Sequence, residues 1–136
     1  MNDNPLISIT VCVRDGKEWI DGCLESLSNQ TYRPLEIIAV DDGSTDGSRE
    51  CLEKWHDPEG DIPIFVFAQD ALGLSAGRNL AVRKSKGEWV AITDIDVRPT
   101  QNWISNLYQK SHPVDSNENI VAVTGRTIFE LSLIHI

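Results

Sequence analysis

Two sets of acidic residues stand where apolar runs stop. Val40 leads into Asp41-Asp42-Gly43-Ser44-Thr45-Asp46-Gly47, and Thr93 leads into Asp94-Ile95-Asp96. Carboxylates two residues apart, like Asp94 and Asp96, turn to the same side wherever the backbone is extended. Held ~4 Å apart, two such anions repel by roughly 1 kcal/mol in water and by ~4 kcal/mol at an effective dielectric of 20. A divalent cation reverses that balance, and carboxylate, water and phosphate oxygens are the ligands Mg2+ or Mn2+ prefers. Each set alone reads equally well as solvated loop acids. Together they say more, because a parallel sheet gathers its strand ends along one ligand-binding edge.

Arg78 adds a cation to the predicted first turn of a helix, where the macrodipole disfavours it by about 0.3–1 kcal/mol. An anion nearby would remove that penalty, and the free N–H groups of the turn would help hold it. Asp15 closes the first apolar run, on the same predicted edge. It can accept from a base or sugar hydroxyl, or simply shape the turn before Gly16. Cys12, Cys23 and Cys51 lack any CxxC spacing and read as buried thiols of a reducing compartment. His56 and His112 fall in polar loops and read as surface residues.

The elements that must position these groups follow from periodicity. Apolar runs at Leu6–Val13, Leu35–Val40, Ile62–Ala68, Glu88–Thr93 and Ile120–Thr124 read as strands, most of them buried on both faces. Pro63 marks an edge or strand-start position. Between the strands, helical spacing predicts Lys17–Asn29, a helix capped by Thr45 or Asp46 and reaching Trp55, one from Ser75 to Lys86 closed by Gly87, and one opened by Pro99-Thr100. The β-α-β-α-β-α-β-α-β order predicts an α/β fold, a mostly parallel sheet with helices on both faces.

The 136 residues suit one domain or part of one, and the net charge of -9 argues against nucleic acid as a partner. No apolar stretch approaches the ~18 residues of a membrane span, and polar Met1–Asn4 shows no signal peptide. A cytoplasmic location is expected, with membrane association through other parts or partners left open. There is no G-x-G-x-x-G after the first strand and no G-x-x-x-x-G-K-[ST], which disfavours a Rossmann oxidoreductase and a P-loop NTPase.

Four segments in order carry a more specific signal: Cys23–Tyr32 (CLESLSNQTY), Val40–Gly47 (VDDGSTDG), Gly73–Asn79 (GLSAGRN), and Lys86-Gly87-Glu88-Trp89 leading to Asp94-Ile95-Asp96. Together they resemble the N-terminal, nucleotide-sugar-binding half of the GT-A fold glycosyltransferases of family 2, over about Ile7 to Glu130. The resemblance implies an inverting transfer of a sugar from a nucleoside-diphosphate sugar, a UDP-sugar foremost, to an acceptor hydroxyl on a saccharide or lipid-linked carrier. Cell-surface polysaccharide synthesis is the implied setting. Carried over residue by residue, Asp42 would contact the base, with Asp41 beside it and the backbone of Cys12 and Val13 lining the pocket. Asp15 would border the same nucleoside site. Asp94 would reach the ribose or the metal shell, Asp96 would ligate Mg2+ or Mn2+, and Arg78 would lie near the nucleotide. Val13-Arg14-Asp15 departs from the common Val-Tyr-Asn, and Thr93-Asp94-Ile95-Asp96 from Asp-Ser-Asp-Asp.

The family's general base comes from its C-terminal half, so no catalytic residue is assigned, Glu130 included. Residues 1–130 are expected to be an incomplete GT-A domain. Leu131–Ile136 match a translated transposon-end adapter from sequencing libraries and read as a non-native tail, so His135 enters no metal argument. Two other readings remain: a non-catalytic nucleotide-sugar binding module, and a Mg2+-dependent phosphoryl-transfer or receiver-like protein, which would need a flavodoxin-like strand order.

Overall fold

The computed structural model describes residues 3–112. In chain order these form β1 (Ile7–Val13), α1 (Lys17–Ser28), β2 (Leu35–Asp42), α2 (Ser48–Glu53), β3 (Ile64–Gln69), α3 (Leu74–Lys84), β4 (Trp89–Asp94) and α4 (Trp103–Ser111). The strand expected at 120–124, Glu130 and the tail lie outside the described residues.

All four strands are parallel, in the order β3-β2-β1-β4. The chain winds outward from β1 through β2 to β3, then crosses back to place β4 on the other side of β1. This is not the flavodoxin-like order, so the receiver-like reading falls. The reversal creates a crevice outside the carboxyl ends of β1 and β4, where open α/β sheets bind ligands.

Alternation along the strands explains the layers. Ile7, Ile9, Val11 and Val13 of β1, with Leu35, Ile37 and Ala39 of β2, face one side and pack with Ile20, Cys23, Leu24 and Leu27 of α1, Leu52 of α2 and Ile104 of α4. Cys12, Ile38 and Val40 face the other side, beneath Leu80 and Ala81 of α3. The larger core therefore lies on the α1 face, and α3 covers the second face. Gly77 lets α3 approach β1, since a β-carbon there would overlap the Cys12 sulfur.

Several boundaries differ from expectation. β2 runs on to include both aspartates, because the Asp41 and Asp42 backbones pair with Val13 and with β3. α2 stops at Glu53, since the chain turns back to bond Asp57 with Ile64. The first residue of α3 is Leu74, after Gly73 with φ 100, so Ser75 is not its cap. The helix ends at Ser85, whose backbone is extended, so Gly87 is not the helix stop. Gly87 instead allows close passage to β1, its β-carbon position being 2.7 Å from Ser8 N.

Candidate functional site

The parallel register gathers the predicted residues at one sheet edge. Cys12 lies between Val40 and Asp94, Val13 beside Asp41, and Asp42 beside Gln69. The Asp41-Asp42 doublet does not act as one unit, because strand alternation sends its side chains to opposite faces. Asp42 points to the α3 face and is 1% exposed. One of its oxygens accepts from Gln69 Nε2 at 2.8 Å and from Leu72 N at 2.9 Å, the other from Gly73 N at 3.1 Å. The Gln69 bond, aided by the two backbone N–H groups, holds its carboxyl below the usual range. Asp42 thus spends most of its accepting capacity on the β3–α3 loop.

Asp41 lies on the α1 face and is equally buried. Its Oδ2 accepts from Ser44 N at 3.2 Å, and its Oδ1 has no hydrogen-bond partner among the described residues. A buried carboxylate oxygen without a partner costs about 1–3 kcal/mol or more, which a ligand or water would relieve. Asp15, with φ 52, accepts from Thr45 N at 2.7 Å, while its own N–H donates to Ser44 Oγ at 2.9 Å. Lys17 N donates to Asp46 and Gly16 N to Ser48 Oγ. These bonds lace the β1–α1 and β2–α2 turns together, so Asp15 holds the rim in shape.

On the α3 face, Cys12 is buried below Gly77, and burial, with Asp42 next, pushes its thiol up to about 11. Its side chain is packing, and its backbone is paired in the sheet between Val40 and Asp94. Arg78 falls in the second turn of α3 rather than the first. The anion that answers it is Asp94, whose Oδ1 accepts from Arg78 Nη2 at 2.7 Å. Asp94 is the last residue of β4, and the chain turns immediately, with Val97 N bonded to Asp94 O at 3.1 Å. Extended geometry therefore does not carry through to Asp96, and the same-side argument for the pair fails. Asp96 is exposed in the turn and makes no hydrogen bond or ion pair among the described residues.

The donor set still suits a hard cation. Asp94 Oδ2 and both Asp96 oxygens are free of hydrogen bonds among the described residues. Those residues hold no group of three or more His, Cys, Asp or Glu arranged for a metal. Two carboxylates would need phosphate oxygens and water to complete the shell, which is the usual manner of holding Mg2+. A separate concavity of about 430 Å³ is lined by Asp15, Lys17, Glu18, Asp21 and Asp46. Its four acids would repel a diphosphate.

Two supports escaped sequence reasoning. Gln69 ends β3 beside Asp42, and a polar residue aligned with the acidic end of β2 was the available signal. Gln30, 2% exposed, donates to Thr100 O at 2.7 Å and accepts from Ile104 N at 3.1 Å. It ties α1 to the segment following Asp96.

The family model described as Glycosyl transferase family 2 matches residues 8–130. The chain belongs to glycosyltransferase family 2. Among curated relatives, this family 2 chain is 36% identical over 104 residues to glycosyltransferase GlyA of Streptococcus pneumoniae, covering 76% of this chain and 15% of that protein. It is 37% identical over 106 residues to the putative glycosyltransferase EpsH of Bacillus subtilis, covering 78% and 29%. Its fold is GT-A. The mannosyltransferase PcManGT of Pyrobaculum calidifontis, solved with GDP-Man and Mn2+, superposes with a TM-score of 0.73 at 25% identity, over 83% of this chain and 34% of that one. The S. aureus TarS fragment solved with UDP-GlcNAc gives 0.66 at 25% identity, over 78% and 31%. The chain spans well under half the length of the curated relatives it matches. No helix among the described residues is long and apolar enough to cross a membrane.

Proposed function

We propose that this chain is the donor-binding half of an inverting, divalent-metal-dependent glycosyltransferase, which moves a sugar from a nucleoside-diphosphate sugar to an acceptor hydroxyl. The observation that carries the reading is the convergence of Cys12, Val13, Asp41, Asp42 and Asp94 at the switch-point crevice, with Arg78 reaching Asp94 from α3. The two solved neighbours bind GDP-Man with Mn2+ and UDP-GlcNAc. They support a nucleotide-sugar donor here, with a UDP-sugar as the leading candidate.

In this reading the ends of β1 and β2 bind the nucleoside. Cys12 and Val13 supply backbone, Asp41 offers its unpartnered oxygen, and Asp42 keeps the 72–73 loop closed against the base. Asp15 fixes the rim through Thr45. Asp96, with Asp94, would hold Mg2+ or Mn2+. When bound, that ion neutralises charge developing on the diphosphate leaving group. Arg78 would add a second positive charge on the α3 side. Residues 1–130 then form the donor half, 131–136 a non-native tail, and the general base that deprotonates the acceptor lies outside the assigned site.

Calorimetry with UDP, GDP and CMP, with and without Mn2+, tests the reading. Nucleoside-diphosphate binding that depends on Mn2+ and disappears in Asp96→Ala supports it. Indifference to all three nucleotides refutes it.

A further inference from the structure

The Arg78–Asp94 ion pair occupies one of the two carboxylates assigned to the metal. The bond is short, 2.7 Å, and both side chains are partly exposed, at 39% and 58%. Strand alternation turns Asp94 toward α3, and the second turn of α3 places Arg78 over it. With Asp96 unengaged among the described residues, Asp94 is the one acid of the pair that already carries a counter-charge.

Resting on the function proposed above, we infer that Arg78 stands in for the metal at Asp94 and is exchanged when the diphosphate arrives. A divalent cation coordinating Asp94 Oδ1 would sit within a few ångströms of the guanidinium and be repelled by it. A diphosphate offers that guanidinium a better acceptor, because planar guanidinium groups bind phosphate oxygens in bidentate fashion. Arg78 then swings from Asp94 to the phosphates, and Asp94 is released to the cation. Each ligand opens the place of the other. Metal alone binds weakly, diphosphate alone binds weakly, and the two bind synergistically by the same factor in either order.

The test titrates the full chain with Mn2+, reading free Mn2+ by electron paramagnetic resonance, with and without saturating UDP. The wild type is compared with Arg78→Gln and Arg78→Lys. Arg78→Gln should bind Mn2+ alone about two- to fivefold tighter than wild type, the scale of an exposed ion pair. Its gain in Mn2+ affinity on adding UDP should shrink by at least that factor. Arg78→Lys keeps the charge and should bind Mn2+ alone as wild type does. An Arg78→Gln chain that binds Mn2+ alone no tighter than wild type overturns the exchange and leaves Arg78 a simple phosphate ligand. Asp96→Ala separates the two levels of failure. If it binds Mn2+ in the presence of UDP as well as wild type does, the site assignment itself is wrong and the exchange falls with it.

Discussion

Both ends of the sheet bury a carboxylate, and they treat it differently. At the amino end Glu36, 4% exposed, accepts from Ser8 Oγ at 2.6 Å and from Lys86 N at 2.8 Å. Ser8 Oγ in turn accepts from Gly87 N at 2.8 Å. The network joins β1, β2 and the approach to β4. At the carboxyl end Asp42 is similarly engaged, but among the described residues Asp41 keeps an oxygen without a partner, and Asp94 is paired only with the partly exposed Arg78. Glu36 accepts both bonds at Oε1, and they tie β1 and the approach to β4 onto β2, so this acid holds the fold together. At the carboxyl end capacity is left over, inside the fold on Asp41 Oδ1 and at the surface on Asp94 Oδ2, among the described residues. Burial alone does not separate the two roles; hydrogen-bond accounting does.

Substitutions break the contrast in order of size. Asp42→Ala strands three N–H donors and should cost about 3 kcal/mol in urea denaturation, with nucleotide affinity falling alongside. Glu36→Ala strands two and should cost ~2 kcal/mol, while UDP affinity of the folded chain stays within about twofold. Loss of UDP affinity there would erase the distinction between the ends. Asp96→Ala should do the reverse. Denaturation midpoints should hardly move, since exposed substitutions stay within about 0.5 kcal/mol, whereas Mn2+-dependent UDP affinity should drop on the order of tenfold or more.

A smaller effect is expected with pH. The folded-state pKa of Asp42 is lowered from 3.8, so its contribution to stability is present above that value and is lost as pH falls through the lowered one. Acid titration of stability should therefore be flatter in Asp42→Ala than in wild type below about pH 4. Equal slopes would show that Asp42 is not held by its three donors.

Much of this was legible in the sequence. The apolar runs, the acidic strand ends and the alternation of elements led to a parallel α/β sheet, because each signal is local. The family segments at Cys23–Tyr32 and Lys86–Trp89 stood out too, but their purpose was hidden. Gln30 grips the start of α4, and Gly87 lies against Ser8, so both act through contacts about 70 or more residues away in the chain. The split of Asp41 from Asp42 was deducible once β2 was known to continue through them; ending the strand at Val40 concealed it. The turn after Asp94 could not be read from Asp94-Ile95-Asp96, since an isolated apolar residue between two acids fits a strand equally well. Nor does the sequence pair Arg78 with Asp94, which needs α3 packed on β1 and β2 with Arg78 reaching the end of β4.

In the proposed function the β1/β4 crevice holds a nucleoside diphosphate, with its cation at the end of β4. A crystal structure of the chain with UDP and Mn2+, using the anomalous signal of manganese, tests it most directly. The expected result is one manganese peak at the carboxylates of Asp94 and Asp96, with uracil against the ends of β1 and β2 and Arg78 turned from Asp94 to the phosphates. Manganese among Asp15, Glu18, Asp21 and Asp46, with no density in the crevice, would contradict it.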